Sequence, residues 1–280
     1  MEEEERGYDA TLEESAPACA PAAPIGSVTG YAAAGKAKAR SVCQAFVDGA
    51  GGGRVLQPPP RRLQAGAAVF FGVTEPSQHL WRQAQREGRD WYYLDNAYFD
   101  AARGRAFRAV RNAVQARGDE PPDWPRFARL GLRIMPWRRS GRHVLLVLQS
   151  ATHMQVVAGK RADWGREALQ LLARHTDRPV VVRGWRSNKM ALAATLAEAL
   201  QDCWALVTWS SAAANEALLA GVPVFTLGPC AASALALADL RRIESPLYAE
   251  GRARWAAALA GRQWTLEELR AGIAWRTLQS

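Results

Sequence analysis

Two adjacent serines and a glutamate stand at a junction suited to chemistry, in the segment WALVTWSSAAANEALLAGVPVFTLG. The apolar run before Ser210 and Ser211 predicts a buried strand, and the alanine-rich run after them predicts a helix. The start of a helix attracts anions through free backbone N–H groups, and the two hydroxyls add donors. Glu216, about a turn and a half into the helix, can accept hydrogen bonds from both hydroxyls of a ribose. The pattern predicts a nucleotide diphosphate site; the alternative is that the serines only cap the helix and that Glu216 is solvated.

Residues at the ends of two other apolar runs could face the same anion. Arg183 lies near the end of PVVVRGW and Lys189 lies in the loop beyond it, so both could neutralise a diphosphate. Ser150 and His153 come at the end of HVLLVLQS and just after it, and they are expected to approach the same ligand. Trp185 could stack on a nucleotide base, although a tryptophan at the end of a strand more often packs in the core.

The elements that must position these residues alternate regularly along the second half of the chain. Helical segments separate four continuous apolar runs, which are HVLLVLQS, PVVVRGW, WALVTWS and PVFTLG. Continuous apolar strands that alternate with helices predict a parallel sheet covered on both faces. Such sheets bind ligands beyond the carboxyl ends of their strands, which is where the candidate residues are expected.

The same rhythm divides the chain into four parts. Composition predicts a disordered leader over residues 1–24. A smaller α/β domain is expected over residues 25–139, with AAVFFGV and DWYYLDNAYF containing strands and GAGGGRVLQPPPRR forming a loop. A doubly wound domain is expected over residues 140–243, followed over residues 244–280 by helices that pack back on the first domain, with Thr265 as an N-cap. The fold class is therefore α/β, with two Rossmann-type domains built on parallel sheets.

The composition is that of a folded protein with unevenly placed positive charge. Apolar residues make up 49% of the chain, and the net charge is +9. Between residues 101 and 142 there are eleven arginines and three acidic residues, so this segment alone carries +8. Such a strip, interleaved with aromatic residues, predicts contact with a polyanion, and the alternative is an ordinary solvated surface.

Neither a targeting signal nor a cysteine pair is recognisable. No apolar run approaches the roughly 20 residues that cross a bilayer, and the acidic start MEEEERGYDATLEES has the wrong charge for a secretory signal. A cytoplasmic location without membrane insertion is the expectation. The scattered cysteines form no CxxC pair and predict reduced core residues instead of a zinc site or disulfide frame. They are Cys19, Cys43, Cys203 and Cys230.

The junction segment resembles the donor site of GT-B glycosyltransferases, in which a helix with a Glu-Ala pair runs into Gly-x-Pro-Val and the next strand. The matching residues are Glu216, Ala217, Gly221, Pro223 and Val224. The nearest resemblance is to the capsule-polysaccharide type and to related bacteriophage enzymes, and it spans roughly residues 68–275 through DWYYLDNAYF, VVVRGWRSNK and QWTLEELRAGIAW. Many retaining relatives have a second glutamate eight residues before the first, where this chain has Thr208. This departure puts a retaining mechanism in doubt.

The resemblance implies sugar transfer from a nucleotide-sugar donor, most simply a UDP-sugar. Asp95 in YYLDNAYF is then the candidate base for the acceptor hydroxyl, and His79 is a weaker candidate. An Asp-Asn pair most often forms a turn, and a lone histidine at the start of a helix is most often structural. Because the C-terminal half has no DxD triplet, arginine and the helix dipole are expected to hold the diphosphate without a metal.

Three classes of function stay open. The first is a phage-type enzyme that glycosylates 5-hydroxymethylcytosine or 5-hydroxymethyluracil in double-stranded DNA, with the arginine strip on the phosphates. The candidate DNA contacts are Arg105, Arg108, Arg111, Arg138 and Arg139. The second class transfers sugar to a bacterial surface or capsule polysaccharide, and the third is a non-catalytic nucleic-acid-binding module. The compact chain without an amphipathic membrane-docking helix favours DNA.

Overall fold

The computed structural model describes residues 27–72, 75–99, 105–156, 159, 163–184 and 195–280. They form two sheets with helices packed on them. The strands are β1 (Val28–Tyr31), β2 (Gly53–Leu56), β3 (Ala67–Phe71), β4 (Trp91–Asn96), β5 (Ala106–Arg111), β6 (His143–Val147), β7 (Val180–Arg183), β8 (Cys203–Thr208), β9 (Val224–Thr226) and β10 (Gln263–Thr265). The helices are α1 (Ala37–Gly49), α2 (Glu75–Arg86), α3 (Trp124–Leu130), α4 (Ala151–Val156), α5 (Trp164–Leu172), α6 (Leu196–Ala199), α7 (Ala213–Leu219), α8 (Arg252–Ala260), α9 (Leu266–Arg270) and α10 (Ile273–Gln279). None of these described helices is long and apolar enough to cross a membrane.

The first sheet has six strands in the order β10-β5-β4-β3-β1-β2. β1 to β4 pair in parallel, whereas β5 is antiparallel to β4 and β10 is antiparallel to β5. The predicted parallel pairing therefore holds for β1 to β4, and two antiparallel strands extend the sheet beyond β4. The predicted loop over residues 49–62 also contains β2. The glycines and prolines around it indicate a loop, but β2 is an edge strand, and an edge strand tolerates such residues because it pairs with only one neighbour.

β5 runs through the segment that was predicted as an arginine strip. Phe107 and Ala109 are buried against Phe46 on one face of the sheet. Successive side chains of a strand point to opposite faces, so Arg108 lies on the other face. The strand therefore separates its arginines instead of presenting them along a single surface.

The second sheet has four parallel strands in the order β7-β6-β8-β9. Val144 and Leu146 pack with Trp164 on one face, and Leu145 packs with Leu218 on the other. Strands buried on both faces have no polar alternation. This burial explains why the continuous apolar runs predicted this sheet.

The C-terminal segment packs on the first sheet. Trp264 in β10 is buried in one cluster with Phe46 and Leu269. Thr265 caps α9 through reciprocal hydrogen bonds with Glu268, as its position predicts. The sequence patterns indicate only helices here. The strand β10 is too short for a local pattern, and its partner β5 is distant along the chain.

The connection between β5 and β6 packs along the second half of the molecule. Met135 donates its backbone N–H to the Leu219 carbonyl at 2.8 Å, and Arg138 donates its own to the Gly221 carbonyl at 2.8 Å. Ile134 packs against the apolar cluster under the second sheet. The domain boundary expected at residue 140 stays a prediction.

Two expectations concern residues outside the described ranges, namely the leader over residues 1–24 and Cys19. The other three cysteines are free and buried, as their surroundings in the sequence predict. They are Cys43, Cys203 and Cys230.

Two glycines with similar backbone test the close packing of this connection. Gly221 has a φ of +76°, and a Cβ there would lie 2.0 Å from the Pro136 carbonyl oxygen, whereas Gly131 has a φ of +61° and open space. Replacement of either by alanine should cost about 1–2 kcal/mol for left-handed backbone. Gly221→Ala should lower the free energy of unfolding by about 1–3 kcal/mol more, because of the clash. Urea unfolding of both variants measures the difference, and equal losses would contradict it.

Candidate functional site

The second sheet has a switch point between β6 and β8. The chain passes from β6 to β7 on one side and later returns to β8 on the other side of β6. Open α/β sheets bind ligands in the crevice at the carboxyl ends of the two strands that flank such a reversal. Ser150 and His153 follow β6, and Ser210 and Ser211 follow β8. These four predicted residues therefore lie around one crevice.

His153 and Ser210 join the two sides of the crevice. His153 Nε2 lies 2.9 Å from Ser210 Oγ. Ser150 Oγ accepts a hydrogen bond from the His153 backbone N–H at 3.1 Å, which fixes the start of α4. The sequence predicts these residues one by one, but it does not predict the contact between them.

Ser211 and Thr208 make hydrogen bonds that stabilise the local fold. Ser211 Oγ accepts from the N–H of Ala213, the first residue of α7, at 3.2 Å, although the N-cap position itself is Ala212. Thr208 Oγ1 donates to the Val147 carbonyl at 2.8 Å and accepts from Gln149 Nε2 at 2.7 Å. Where retaining relatives have a second glutamate, this chain therefore has a buried hydroxyl that links β6 to β8.

Glu216 and Arg183 interact across the carboxyl edge of the second sheet. Glu216 is exposed in the first turn of α7. Protein packed around its carboxyl raises the pKa of Glu216 through desolvation, and the charge of Arg183 at the end of β7 opposes this rise. An accessible carboxylate flanked by protein and an arginine is placed to meet a polar ligand.

Asp95, the residue before the last of β4, forms an ion pair with Arg108 of β5. Arg108 Nη2 lies 2.9 Å from Asp95 Oδ2, and the exposed fractions of the two side chains are 8% and 29%. Tyr93 donates its hydroxyl to Oδ2 at 3.3 Å, and Asn96 donates its backbone N–H to Oδ1 at 2.8 Å. The Tyr98 ring centroid lies 5.2 Å from the guanidinium carbon. The Asp-Asn pair thus belongs to a half-buried charge network as well as to the end of a strand.

The ion pair of the first sheet lies close to His153 of the second. Burial lowers the pKa of His153, the charge of Asp95 opposes this effect, and the charge of Arg108 adds to it. We call Asp95, Arg108, His153 and Ser210 the central polar cluster. Burial also raises the pKa of the neighbouring Cys230 to about 11, with the Arg108 charge opposing. Residues from both sheets therefore share one electrostatic environment.

One predicted catalytic residue lies apart from this cluster, and two predicted donor-site residues fall outside the described part of the chain. His79 is exposed on α2, with its Nε2 3.0 Å from the Pro60 carbonyl oxygen, and no described contact joins it to Asp95. Trp185 and Lys189 lie outside the described residues. Their roles stay predictions.

The arginines predicted to contact DNA do not form a strip. Four of the five engage another protein group, and Arg105 is exposed. The contacts are Arg108 with Asp95 at 2.9 Å, Arg111 with Asp90 at 2.8 Å, Arg138 with the Leu200 carbonyl at 2.6 Å, and Arg139 over the Tyr248 ring at 4.5 Å. Arg108 is buried, so a phosphate on the surface cannot reach it without disrupting its ion pair. Of the five candidates Arg108 alone is buried, whereas Arg105 and Arg139 are exposed, as are Arg129 and Arg133 of the same segment.

Sequence reasoning assigned no role to three polar residues beside the cluster. They are Gln149, Tyr98 and Asn215. Asn215 Nδ2 donates to the Tyr98 carbonyl at 3.4 Å, which connects α7 to the segment after β4. Buried Asn215 Oδ1, Gln149 Oε1 and Arg108 Nε have no hydrogen-bond partner within the described part of the chain. The signal for two of them was adjacency, since Gln149 precedes Ser150 and Asn215 precedes Glu216.

Two cavities lie outside the crevice. One of about 730 Å³ opens at the amino edge of the second sheet, next to Arg178 and Pro179. The other, of about 670 Å³, lies between α2 and the segment after β9, with Cys230 in its wall. The first is at the wrong edge for a nucleotide in a parallel sheet. Within the described ranges, no group of three or more His, Cys, Asp or Glu side chains could hold a metal ion.

The described residues form an α/β fold with two sheets, and solved structures share this fold. Thermosulfurimonas dismutans KpsC, beta Kdo 2,4 transferase, matches with a TM-score of 0.53 and 14% identity over 83% of this chain and 89% of that chain. Thermosulfurimonas dismutans KpsC, beta Kdo 2,7 transferase, matches with a TM-score of 0.51 and 11% identity over 90% of this chain and 99% of that chain. At these identities the likeness shows the fold alone.

These neighbours support part of the resemblance drawn from the sequence. They are capsule-polysaccharide enzymes with a GT-B-like fold, and they give no support to the bacteriophage DNA-modifying type. No protein-family model matches the chain, and no curated protein is similar to it.

The lowered pKa of His153 predicts a pH-dependent stability. Because the folded pKa lies below the unfolded value of about 6.5, His153 stabilises the fold fully above that pH, and this contribution is lost as the pH falls toward the folded pKa. Urea unfolding between pH 7.5 and 5 should show a smaller loss of stability for His153→Gln than for the parent chain. His79→Gln, at the exposed histidine, is the control. Identical pH profiles for the parent and His153→Gln would contradict the prediction.

Proposed function

We propose that this chain is a glycosyltransferase that moves a sugar from a nucleotide-sugar donor to a hydroxyl of a bacterial surface or capsule polysaccharide. The carrying observation is the contact of 2.9 Å between His153 and Ser210 across the β6–β8 crevice, with Asp95 of the other sheet close enough to affect His153. In this arrangement the carboxyl edge of the second sheet, where the donor would bind, faces the carboxylate of Asp95 on the first sheet. A sugar bound between them would meet both reacting partners.

The donor occupies the carboxyl edge of the second sheet in this proposal. Glu216 accepts the ribose hydroxyls, because an ionised carboxylate can take two hydrogen bonds side by side. Arg183, near Glu216, and the hydroxyl of Ser210 face the phosphate groups. Lys189 and Trp185 are proposed to complete the site at the phosphate and the base.

Asp95 has the chemistry of a base for the acceptor hydroxyl. Its two oxygens offer about four lone-pair positions. Arg108, Tyr93 and Asn96 fill three of them, which leaves room for one acceptor hydroxyl. The proton passes to Asp95 as the acceptor oxygen bonds to the anomeric carbon of the sugar. The bond between that carbon and the donor phosphate breaks, and Arg183 and Ser210 stabilise the departing negative charge.

The acceptor class follows from two considerations. The neighbours' titles name transfer of Kdo, an acidic sugar, which favours a polysaccharide acceptor over DNA. Arg108, the one buried residue among the five candidate DNA contacts, is committed to its ion pair with Asp95. Nucleotide-activated Kdo therefore joins UDP-sugars among the donors to test.

The experiment offers both acceptors to the protein in competition. UDP-sugars and nucleotide-activated Kdo are each incubated with capsule oligosaccharides and with duplex DNA that contains 5-hydroxymethylcytosine or 5-hydroxymethyluracil. Mass spectrometry should find a gain of one sugar on the oligosaccharide. A gain on DNA alone would refute the polysaccharide acceptor. The absence of transfer, hydrolysis and donor binding with the whole panel would refute glycosyl transfer.

Glu216→Gln tests the ribose contact. A neutral amide cannot accept both ribose hydroxyls as a carboxylate does, so donor affinity should fall about tenfold, the size of one charge-assisted hydrogen bond. The control is Glu267→Gln, at an exposed glutamate in the first turn of α9 on the other sheet. Calorimetric titration with the donor measures both variants. Equal affinity for Glu216→Gln and the parent would remove Glu216 from the site.

Asp95→Asn tests the proposed base. Loss of the carboxylate should lower kcat by about 10²–10⁴-fold with little change in donor affinity. The control is Asp90→Asn. Asp90 lies just before β4 and pairs with Arg111 of β5 at 2.8 Å, so this variant also removes the acid of an ion pair. Assays run well below the melting temperature, because Arg108 loses its counter-charge in Asp95→Asn. Turnover within about threefold of the parent would be far smaller than the expected loss of about 10²–10⁴-fold, and it would exclude Asp95 as the base.

A further inference from the structure

The first sheet has a switch point of its own, and a cavity opens there. The chain passes from β1 to β2 on one side and later to β3 on the other. A cavity of about 480 Å³ lies at the carboxyl ends of β1 and β3. Its wall includes Tyr31, Gly35, Lys36, Lys38, Phe71 and Gly72. The rule that places the donor in the β6–β8 crevice therefore indicates a second ligand site in the first sheet.

Two of the chain's four lysines line this cavity. Arginine supplies the other 32 of the 36 positively charged side chains, so lysine is the uncommon choice in this chain. A lysine ammonium is a compact charge with three donors and a flexible stem. Lys36 and Lys38 together supply two flexible ammonium groups that can converge on one small anionic group.

Neighbouring groups hold the ammonium of Lys38 at the cavity wall. Lys38 Nζ donates to Asn96 Oδ1 at 2.7 Å. It also lies 5.8 Å from the centroid of the Phe71 ring and 5.2 Å from that of Phe107. Only one of its three donors is needed for Asn96, so others can reach a ligand. Asn96 follows Asp95 directly at the end of β4, so the two side chains leave the same carboxyl edge toward opposite faces of the sheet.

The start of α1 adds favourable potential to the lysines. This helix has thirteen residues, and its first turn contains no acidic residue. In the described part of the chain no side chain caps it at Lys36. Its free N–H groups therefore contribute positive potential beside the cavity.

We propose that this cavity binds an anionic group of the acceptor, a carboxylate or a phosphate, and that Lys36 and Lys38 determine this specificity. The inference rests on the proposed function, since the acceptor hydroxyl reacts at Asp95. An acceptor held by its charge at Lys38 would extend around the carboxyl edge of β4 to bring a hydroxyl to Asp95. A neutral acceptor lacks this anchor and binds more weakly.

The test measures binding of small acidic probes to the full chain. Free Kdo supplies a carboxylate, glucose 6-phosphate supplies a phosphate, and methyl glucoside is the neutral probe. Ligand-observed NMR titrations compare the parent, Lys38→Met and the variant with both Lys36→Met and Lys38→Met. The control, Arg40→Met, removes one exposed charge from the same helix outside the cavity wall. The double variant should bind an acidic probe at least about tenfold more weakly, and Arg40→Met should stay within about twofold of the parent.

The outcomes separate the two anionic groups and the two proposals. If only Kdo binds in a lysine-dependent way, the site takes a carboxylate. If only glucose 6-phosphate does so, the site takes a phosphate, and if both do so, it is a general anion site. Absence of acidic-probe binding to the parent, or equal binding by the parent and the double variant, overturns the inference. Donor titrations on the same proteins separate failure of the acceptor site from failure of the proposed function. If the donor still binds while acidic probes fail to bind or bind without the lysines, the acceptor site is refuted and the proposed function is not.

Discussion

The buried ion pair between Arg108 and Asp95 constrains the rest of the structure. A buried guanidinium without a partner would cost several kcal/mol, so β4 and β5 must pair where the two residues stand directly opposite each other. A slip of one residue would turn Arg108 toward the aromatic core around Phe46, and it would move Phe107 to the opposite face of the sheet. The same register aligns Gln263 of β10 with Arg108, and Gln263 Oε1 accepts the Phe99 N–H at 3.0 Å. The register of one ion pair thus extends to the C-terminal strand and to the segment after β4.

The ion pair also connects stability to the chemistry of the centre. Asp95 is half-buried and keeps its counter-charge within the fold, so its carboxylate is oriented before any ligand arrives. Tyr98, beside Arg108, belongs to an apolar cluster that also contains Leu145 of the second sheet. The packing that holds the two halves together therefore lies directly beside the ion pair. A group that serves both purposes is difficult to replace without loss of stability.

The sequence predicts best those elements whose signal is local. The second sheet was predicted because strands buried on both faces are continuous apolar runs, and Thr265 because a helix cap is read within four residues. The strand β5 was missed because Arg108, an inward-facing charge, breaks the apolar pattern that would mark it. The contact of His153 with Ser210 could not be predicted, since it depends on the pairing of β6 with β8 across a long stretch of chain. Local patterns locate candidate residues, whereas strand order decides which of them meet.

The two switch points give the net positive charge a purpose other than DNA binding. On the proposed function, a phosphate-bearing donor and an anionic acceptor approach one centre, and their mutual repulsion in a partly desolvated site must be offset. Lys38 stands at one crevice, Arg183 at the other, and Arg108 between them balances Asp95. Because each cation serves a different negative group, the charges need not form a continuous surface. A chain with a net charge of +9 also attracts anionic substrates from a distance. Arginine-rich composition and an interrupted strip are therefore compatible with chemistry on two small anions.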